Sequence, residues 1–349
     1  MATAPLIVRP IGDDAFLATA SAAGVHVPLE QAPAWDHFDA VAAGRSHVAR
    51  WAVGSERGDP MALVSLTSYS VRGFPYLWAR HAPIMLGDPT PEAERAVREA
   101  LVRHARREWP NVVFLRLHAR HRAPDLRTLL QTVTYDRTVV IDVQRPVDDY
   151  LASLSKKFRY TVRQSLKHDD VVVADETDAA LVDFSELYEI YQETARRDGF
   201  GIYDAEFYRG MVEALSPHAR VFVARRTDGA TGAAGNSPGR ALAWAIVTDY
   251  DGAATYVYAA ANHEARDLDA SVRLLWDLLE ILRHEGMRTF DMGGVDSDLC
   301  PSLAGVGMFK RKWGGETEVA PAWDVPVKRS TYTILVALLR VKRVAGGRR

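Results

Sequence analysis

Four cations recur at spacings of three, four and four residues within 156–167: Lys156, Arg159, Arg163 and Lys167, with no acid among them. Helix positions three and four apart are neighbours. Such a set can therefore meet successive phosphates of a nucleic-acid backbone, although solvated helix faces carry similar runs. A second group is Asp291-Met-Gly-Gly-Val295. Gly293 and Gly294 can admit a backbone close to a substrate or simply form a turn. Asp291 can bind or deprotonate an amine, or act as a structural cap. Lys310, Arg311 and Lys312 form a further basic run, which alone reads as surface charge.

The elements that must position these groups follow from hydrophobic period and turn signals. Leu151, Leu154, Phe158, Val162 and Leu166 recur at helical spacing behind Asp148 and Asp149, which predicts one helix over Leu151–Lys167 with its basic residues on another face. The first half of the chain reads as a helix near Trp35–Ala43, strands at His47–Val53, Met61–Thr67 and Tyr76–Leu86, a long helix Pro91–Trp109 and a strand Val112–Leu117. The second half repeats that order: a helix Ala205–Leu215, strands Val221–Arg225, Ala241–Asp249 and Thr255–Ala260, a helix Leu268–Glu285 and a strand Thr289–Met292. Matching elements are offset by 173, 178 and 177 residues (His47 to Arg220, Tyr76 to Ala254, Pro91 to Leu268). This nearly constant offset points to duplication of one α/β unit. The glycine-rich stretch Asp228–Gly239, present in the second copy alone, reads as a hairpin loop.

Helix, three strands, long helix and strand is the element order of the GNAT acyltransferases. The resemblance implies an α/β (α+β) chain of two tandem GNAT-like domains, each a mixed sheet flanked by helices. The expected divisions are 1–146, 147–319 and a basic strand and helix at 320–349. GNAT enzymes that use acetyl-CoA hold its pyrophosphate on a glycine-rich turn before the long helix. Residues 259–267 (AAANHEARD) contain no glycine, and the matching stretch of the first copy, residues 87–91 (GDPTP), is too short. An ordinary acetyl-CoA role is disfavoured on that ground.

The segment Lys156-Lys157-Phe158-Arg159-Tyr160-x-x-Arg163 is similar to the K-x-R-Y-x-I-R-K signature of the Fem peptidyltransferases, and two further blocks resemble that family in the same order: residues 193–200 (ETARRDGF) and 290–316. Gln31, Trp35 and Pro83 extend the likeness loosely into the first domain. Tyr188–Leu215 runs straight into Val221 without room for a helical arm, as in the armless members. The resemblance implies attack by the amine of a peptidoglycan-precursor stem peptide on the ester joining an amino acid to tRNA. Aminoacyl-tRNA is then a co-substrate, and no cofactor or metal is required. It implies Phe309 and Lys310 beside the reacting groups, with Lys310 offsetting negative charge on the intermediate or the departing ribose oxygen, and Asp291 as a candidate partner of the amine. Substrate contacts are expected from Trp35, Arg80, Arg197, Tyr203, Tyr258, Gly293 and Gly294, and tRNA contacts from Lys156, Arg159, Arg163 and Lys167. Two departures stand out: Asp39 and Tyr203 occupy positions where armless members carry cations that face a nucleotide diphosphate, and Arg45, Arg80 or Arg197 is left to compensate. The acceptor is thus open between nucleotide-linked, lipid-linked and non-wall amines, and an N-acyltransferase using acyl-CoA is the alternative activity.

Composition agrees with a folded two-domain chain: 349 residues, 48% hydrophobic, one cysteine (Cys300) and a net charge of -2. Lone Cys300 excludes a disulfide framework and fits a reducing compartment. A cytoplasmic location is expected, since no signal-like segment or apolar run of 18 residues occurs. Residues 325–349 carry seven cations and no acid, so removing that tail leaves -9 on the rest. Within it Ile334, Leu335, Leu338, Leu339 and Val341 predict an amphipathic helix, suited either to an anionic membrane surface or to packing on the first domain.

Overall fold

The computed structural model describes residues 5–56, 58–129, 134–227 and 239–346. The chain forms two compact units, residues 1–136 with 296–301 and 318–349, and residues 137–295 with 302–317. Residues 228–238 of the glycine-rich stretch lie outside the described residues. The strands that flank it, Ala219–Arg226 and Arg240–Tyr250, pair antiparallel from Arg226↔Arg240 inward, as a hairpin reading requires.

In the first unit the sheet runs Ile7–Pro10, Arg45–Gly54, Pro60–Val71, Phe74–Trp78, Phe114–His118, Ala322–Pro326, with Ile84–Met85 added beside Pro60–Val71. The sequence predicts one strand over Tyr76–Leu86. The chain instead leaves the sheet after Trp78, turns through His81 at φ +51°, and pairs again through Ile84↔Leu63. The long helix Pro91–Glu108 has local causes: Thr90 Oγ1 accepts from the Ala93 amide at 3.2 Å, Pro91 opens the first turn, acids sit at its start and Arg106 and Arg107 at its end. Buried Val97, Ala100, Leu101 and Ala105 face the core.

The last part of the chain completes this unit. Ala322–Pro326 pairs antiparallel with Phe114–His118, and the Asp324 carboxylate takes the Arg116 guanidinium at 2.7 Å and the Tyr332 hydroxyl at 3.1 Å. Helix Arg329–Gly346 then lays Tyr332 and Leu335 against Tyr76 and Phe114. The expected apolar surface is therefore two surfaces. Leu335 and Leu339 pack inward, whereas Ile334, Leu338 and Val341 are 56%, 52% and 68% exposed.

The second sheet runs Glu316–Glu318, Arg137–Asp142, Thr289–Gly294, Ala253–Ala261, Arg240–Tyr250, Ala219–Arg226, Val171–Asp175. Strand Arg137–Asp142, N-terminal to the expected division at 146/147, belongs here through Ile141↔Phe290. Both sheets place a parallel pair across the long helix: in the first, Phe74–Trp78, which comes before the short strand Ile84–Met85, pairs with Phe114–His118 from Tyr76↔Phe114 to Trp78↔Arg116, and in the second the strands directly before and after the helix pair from Ala253↔Thr289 to Thr255↔Asp291. In the second sheet this parallel pairing stops at Asp291, which leaves the following backbone free of that ladder. Helix Ala270–His284 buries Leu274, Leu275, Leu278, Leu279 and Leu282 beneath it.

The single helix expected over Leu151–Lys167 is two. Val147–Ser153 ends, Leu154 and Ser155 are extended (ψ 155° and 148°), and Lys156–Ser165 begins with Ser155 Oγ accepting from the Phe158 amide at 3.2 Å. A serine at the N-cap satisfies one of the donors that the start of a new helix leaves open. Leu154, Phe158 and Val162 remain buried, but Leu166 is 39% exposed past the helix end.

Candidate active site

The site assembles where the parallel pairing of the second sheet ends. Thr289–Gly294 is held on one side by Arg137–Asp142, and the wholly buried Thr138 donates its hydroxyl to Asp291 Oδ1 in a short hydrogen bond. The same oxygen accepts the Gly293 amide at 2.7 Å, which turns the chain at Gly293 (φ +75°). Asp291 thus caps this turn through Oδ1. Glycine is favoured at 293 by its left-handed backbone; a Cβ there would meet Lys310 Nζ at 3.4 Å and the Tyr256 carbonyl oxygen at 3.7 Å, which is ordinary contact.

Lys310 ends helix Ala304–Lys310 and donates from Nζ to the Gly294 carbonyl at 2.9 Å. Burial pulls its ammonium down to about 8 from the ordinary lysine value, with the Asp291 charge acting in the opposite sense. The amine is therefore mostly protonated at neutral pH yet close to a proton-transfer balance. Phe309, half-buried, packs on the core beside Trp313, with ring centroids 6.4 Å apart. Trp313 is fully buried, and its carbonyl accepts the Tyr150 hydroxyl at 2.7 Å, which fixes the turn after Lys310. Lys310, Phe309, Asp291, Gly293 and Gly294 are thus brought together.

Tyr258 lies on the other face of the sheet from Tyr256. A β-bulge between the pairs Val247↔Tyr256 and Ile246↔Tyr258 reverses the alternation, so Tyr256 packs on the core under the long helix and Tyr258 on the opposite one. There it sits 5.0 Å from Tyr208 and 6.4 Å from Tyr191. Arg197 is on this side too, donating to the Ala261 carbonyl at 3.2 Å and pairing with Asp198 at 2.9 Å. Tyr203 is 60% exposed and stacked on Phe207 at 4.0 Å.

Trp35 and Arg80 belong to the first unit. Trp35 is buried in helix Pro33–Val41 against Phe38, and Arg80 lies over Trp78 at 3.9 Å with a hydrogen bond to the Tyr69 hydroxyl at 3.0 Å. Asp39, expected to repel a diphosphate, is fully buried. It takes Arg45 at 3.0 Å and the Thr67 hydroxyl at 2.6 Å, while burial pushes its carboxyl above the usual range. Its charge is met locally.

The basic helix is exposed at Lys156, Arg163 and Lys167. Arg159 departs from the expected face: its guanidinium turns back to the Ala152 and Leu154 carbonyls at 2.8 and 2.6 Å and closes the end of the preceding helix. Lys167 lies just beyond the helix. Where a pyrophosphate turn would be needed, Asn262 is buried and bonded to Ala241 O (2.9 Å) and the Ala265 amide (3.0 Å), and Asp269 at φ +48° precedes the long helix. Asp269, whose side chain makes no cap hydrogen bond, stands at that helix start in place of a glycine turn. Thr138 and Tyr256 escaped the sequence reading, because neither lies in a charged or glycine-rich motif. Among the described residues no group of three or more His, Cys, Asp or Glu could hold a metal ion.

Residues 152–299 match the family model described as an acetyltransferase (GNAT) domain. No curated protein matches the chain. Among solved structures, that of FemX is similar over 94% of this chain and 99% of its own at 17% identity and a TM-score of 0.70. A tandem GNAT protein from the clavulanic acid biosynthesis pathway is similar over 92% and 98% at 13% identity and a TM-score of 0.52. L-PGS from Bacillus licheniformis is similar over 95% and 97% at 12% identity and a TM-score of 0.50. Two mixed sheets, each with a parallel pair around its long helix, together with these likenesses, make this a Fem-like tandem GNAT fold.

Proposed function

We propose that the chain transfers an aminoacyl group from aminoacyl-tRNA to the amine of a peptidoglycan-precursor stem peptide. The acceptor amine attacks the ester carbonyl, and the tetrahedral intermediate carries an oxyanion. Collapse breaks the bond to the ribose oxygen, and the proton lost by the amine ends on that oxygen. The products are an amide and tRNA with a free hydroxyl. The ester is already activated, so alignment and charge stabilisation suffice. The carrying observation is the half-buried Lys310 ammonium, fixed at 2.9 Å on Gly294 O beside the left-handed turn at Gly293. As a cation it stabilises the oxyanion or the leaving oxygen. Its value near 8 also suits it to relay the proton.

The donor assignment draws support from the Fem-like fold, the exposed cations of helix Lys156–Ser165 and the acidic, glycine-free approach to helix Ala270–His284. Aminoacyl-tRNA is a co-substrate in this reading, and no bound cofactor takes part. The line Ile334, Leu338 and Val341 beside exposed Arg340 favours peripheral contact of the C-terminal helix with an anionic membrane, which suits a lipid-linked acceptor. No helix among the described residues is long and apolar enough to cross a membrane. The test incubates purified protein with a pool of charged tRNAs and with nucleotide-linked, lipid-linked and free stem peptides, with acetyl-CoA in parallel. A mass increase of one amino-acid residue on a stem peptide supports the reading. Acetylation alone supports the acyl-CoA alternative and removes it.

A further inference from the structure

The helix Lys156–Ser165 carries one feature that charge spacing did not register. Tyr160 is 64% exposed, among the most exposed large apolar side chains described. Positions 156, 160, 163 and 167 are spaced four, three and four, which is the stripe of one helix face. With Arg159 turned back to the Ala152 and Leu154 carbonyls, the outward stripe is Lys156, Tyr160 and Arg163, extended by Lys167 in the following turn. An exposed ring thus stands between two exposed cations, about 6 Å from one and about 4.5 Å from the other along the axis. The helix is anchored on the core by buried Phe158 and Val162, so the ring is presented from a rigid support.

A single exposed aromatic is ordinary on a protein surface, but one flanked by cations on the same helix face matches an unpaired nucleic-acid strand, which offers a base to stack on the ring and phosphates for the cations. A duplex offers its bases only by their edges. We propose that Tyr160 is a stacking platform for a base of the single-stranded RNA end that carries the aminoacyl group, with Lys156 and Arg163 on the adjoining phosphates. This rests on the tRNA reading above and assigns its unpaired end a place on this chain.

The test uses the full chain with a short single-stranded RNA ending in CCA that bears a fluorescent adenine analogue, and uncharged tRNA in parallel. Tyr160→Ala should weaken oligonucleotide binding by roughly 5- to 150-fold, with Tyr160→Phe within about two-fold of the parent. Stacking should also quench the analogue in the parent and in Tyr160→Phe. Lys156→Ala and Arg163→Ala should each lower the slope of log K against log salt by about 0.7, a slope that Tyr160→Ala leaves alone. Parent-like binding by Tyr160→Ala, or an equal loss in Tyr160→Phe, overturns the stacking site while the tRNA reading stands. A parent protein that binds neither RNA overturns both.

Discussion

Lys310 Nζ and the Gly294 carbonyl oxygen lie 2.9 Å apart, so the one amine of the site is held by the strand that ends beside it. The hydrogen bond fixes direction, and burial sets the proton balance. Removing this cation should cost most where negative charge develops. Lys310→Ala should lower kcat by about 100- to 1000-fold and change KM for either substrate little, as measured in steady-state transfer assays. Normal turnover in that variant would remove Lys310 from the mechanism.

The same lysine sets a pH dependence of opposite sign in activity and stability. If the ammonium is the working form, kcat falls as pH rises through about 8. Because the folded value lies below that of the unfolded chain, the unfolded state binds more protons between about 8 and the ordinary lysine value, and stability rises with pH over that window. Lys310→Met should therefore be more resistant to denaturant than the parent below pH 8, and the difference should shrink above it. Rising kcat through pH 8 would instead assign the amine as a base.

Thr138 acts through Asp291, not on substrate. Thr138→Val leaves one donor fewer on a carboxylate that holds the Gly293 turn, and should cost about 1–2 kcal/mol in denaturant titration. It should also lower kcat several-fold without weakening tRNA binding. Thr138→Ser, which keeps the donor, should restore both. Loss of stability with unchanged kcat would make the Asp291 network purely structural.

The basic segment shows where sequence reading reaches and where it stops. Phe158 and Val162 at helical spacing gave the buried side, and the cation spacing gave an exposed one. What it missed was local: Ser155 capping a second helix broke the run, and a guanidinium satisfied the carbonyls left open there, taking Arg159 off the face. Gly293 and Gly294 were visible as a pair, but the left-handed turn at Gly293 and the Lys310 Nζ held on the Gly294 carbonyl are tertiary facts, the latter set by a residue 16 positions away. The tandem arrangement was legible because both halves keep the same element order around a long helix. Thr138 was not, because its strand joins the sheet through a pairing that no turn signal marks.

The C-terminal helix separates its two faces cleanly enough to be tested without unfolding the chain. Truncation after Lys328 would strip Tyr332 and Leu335 from the first core, so point changes on the exposed line are preferable. Ile334→Asp with Leu338→Asp should leave the thermal transition within a few degrees of the parent and abolish sedimentation with phosphatidylglycerol vesicles at low salt. Each cation near such a surface contributes about 1 kcal/mol. If the parent protein does not sediment either, the exposed line has no membrane role.

The central claim is that the transferred group arrives on RNA. Purified protein, a stem-peptide acceptor and radiolabelled aminoacyl-tRNA should yield labelled peptide. Ribonuclease treatment of the donor before mixing should abolish the product, and excess coenzyme A should leave its rate unchanged. Undiminished transfer after complete digestion, or competition by coenzyme A, would contradict the account.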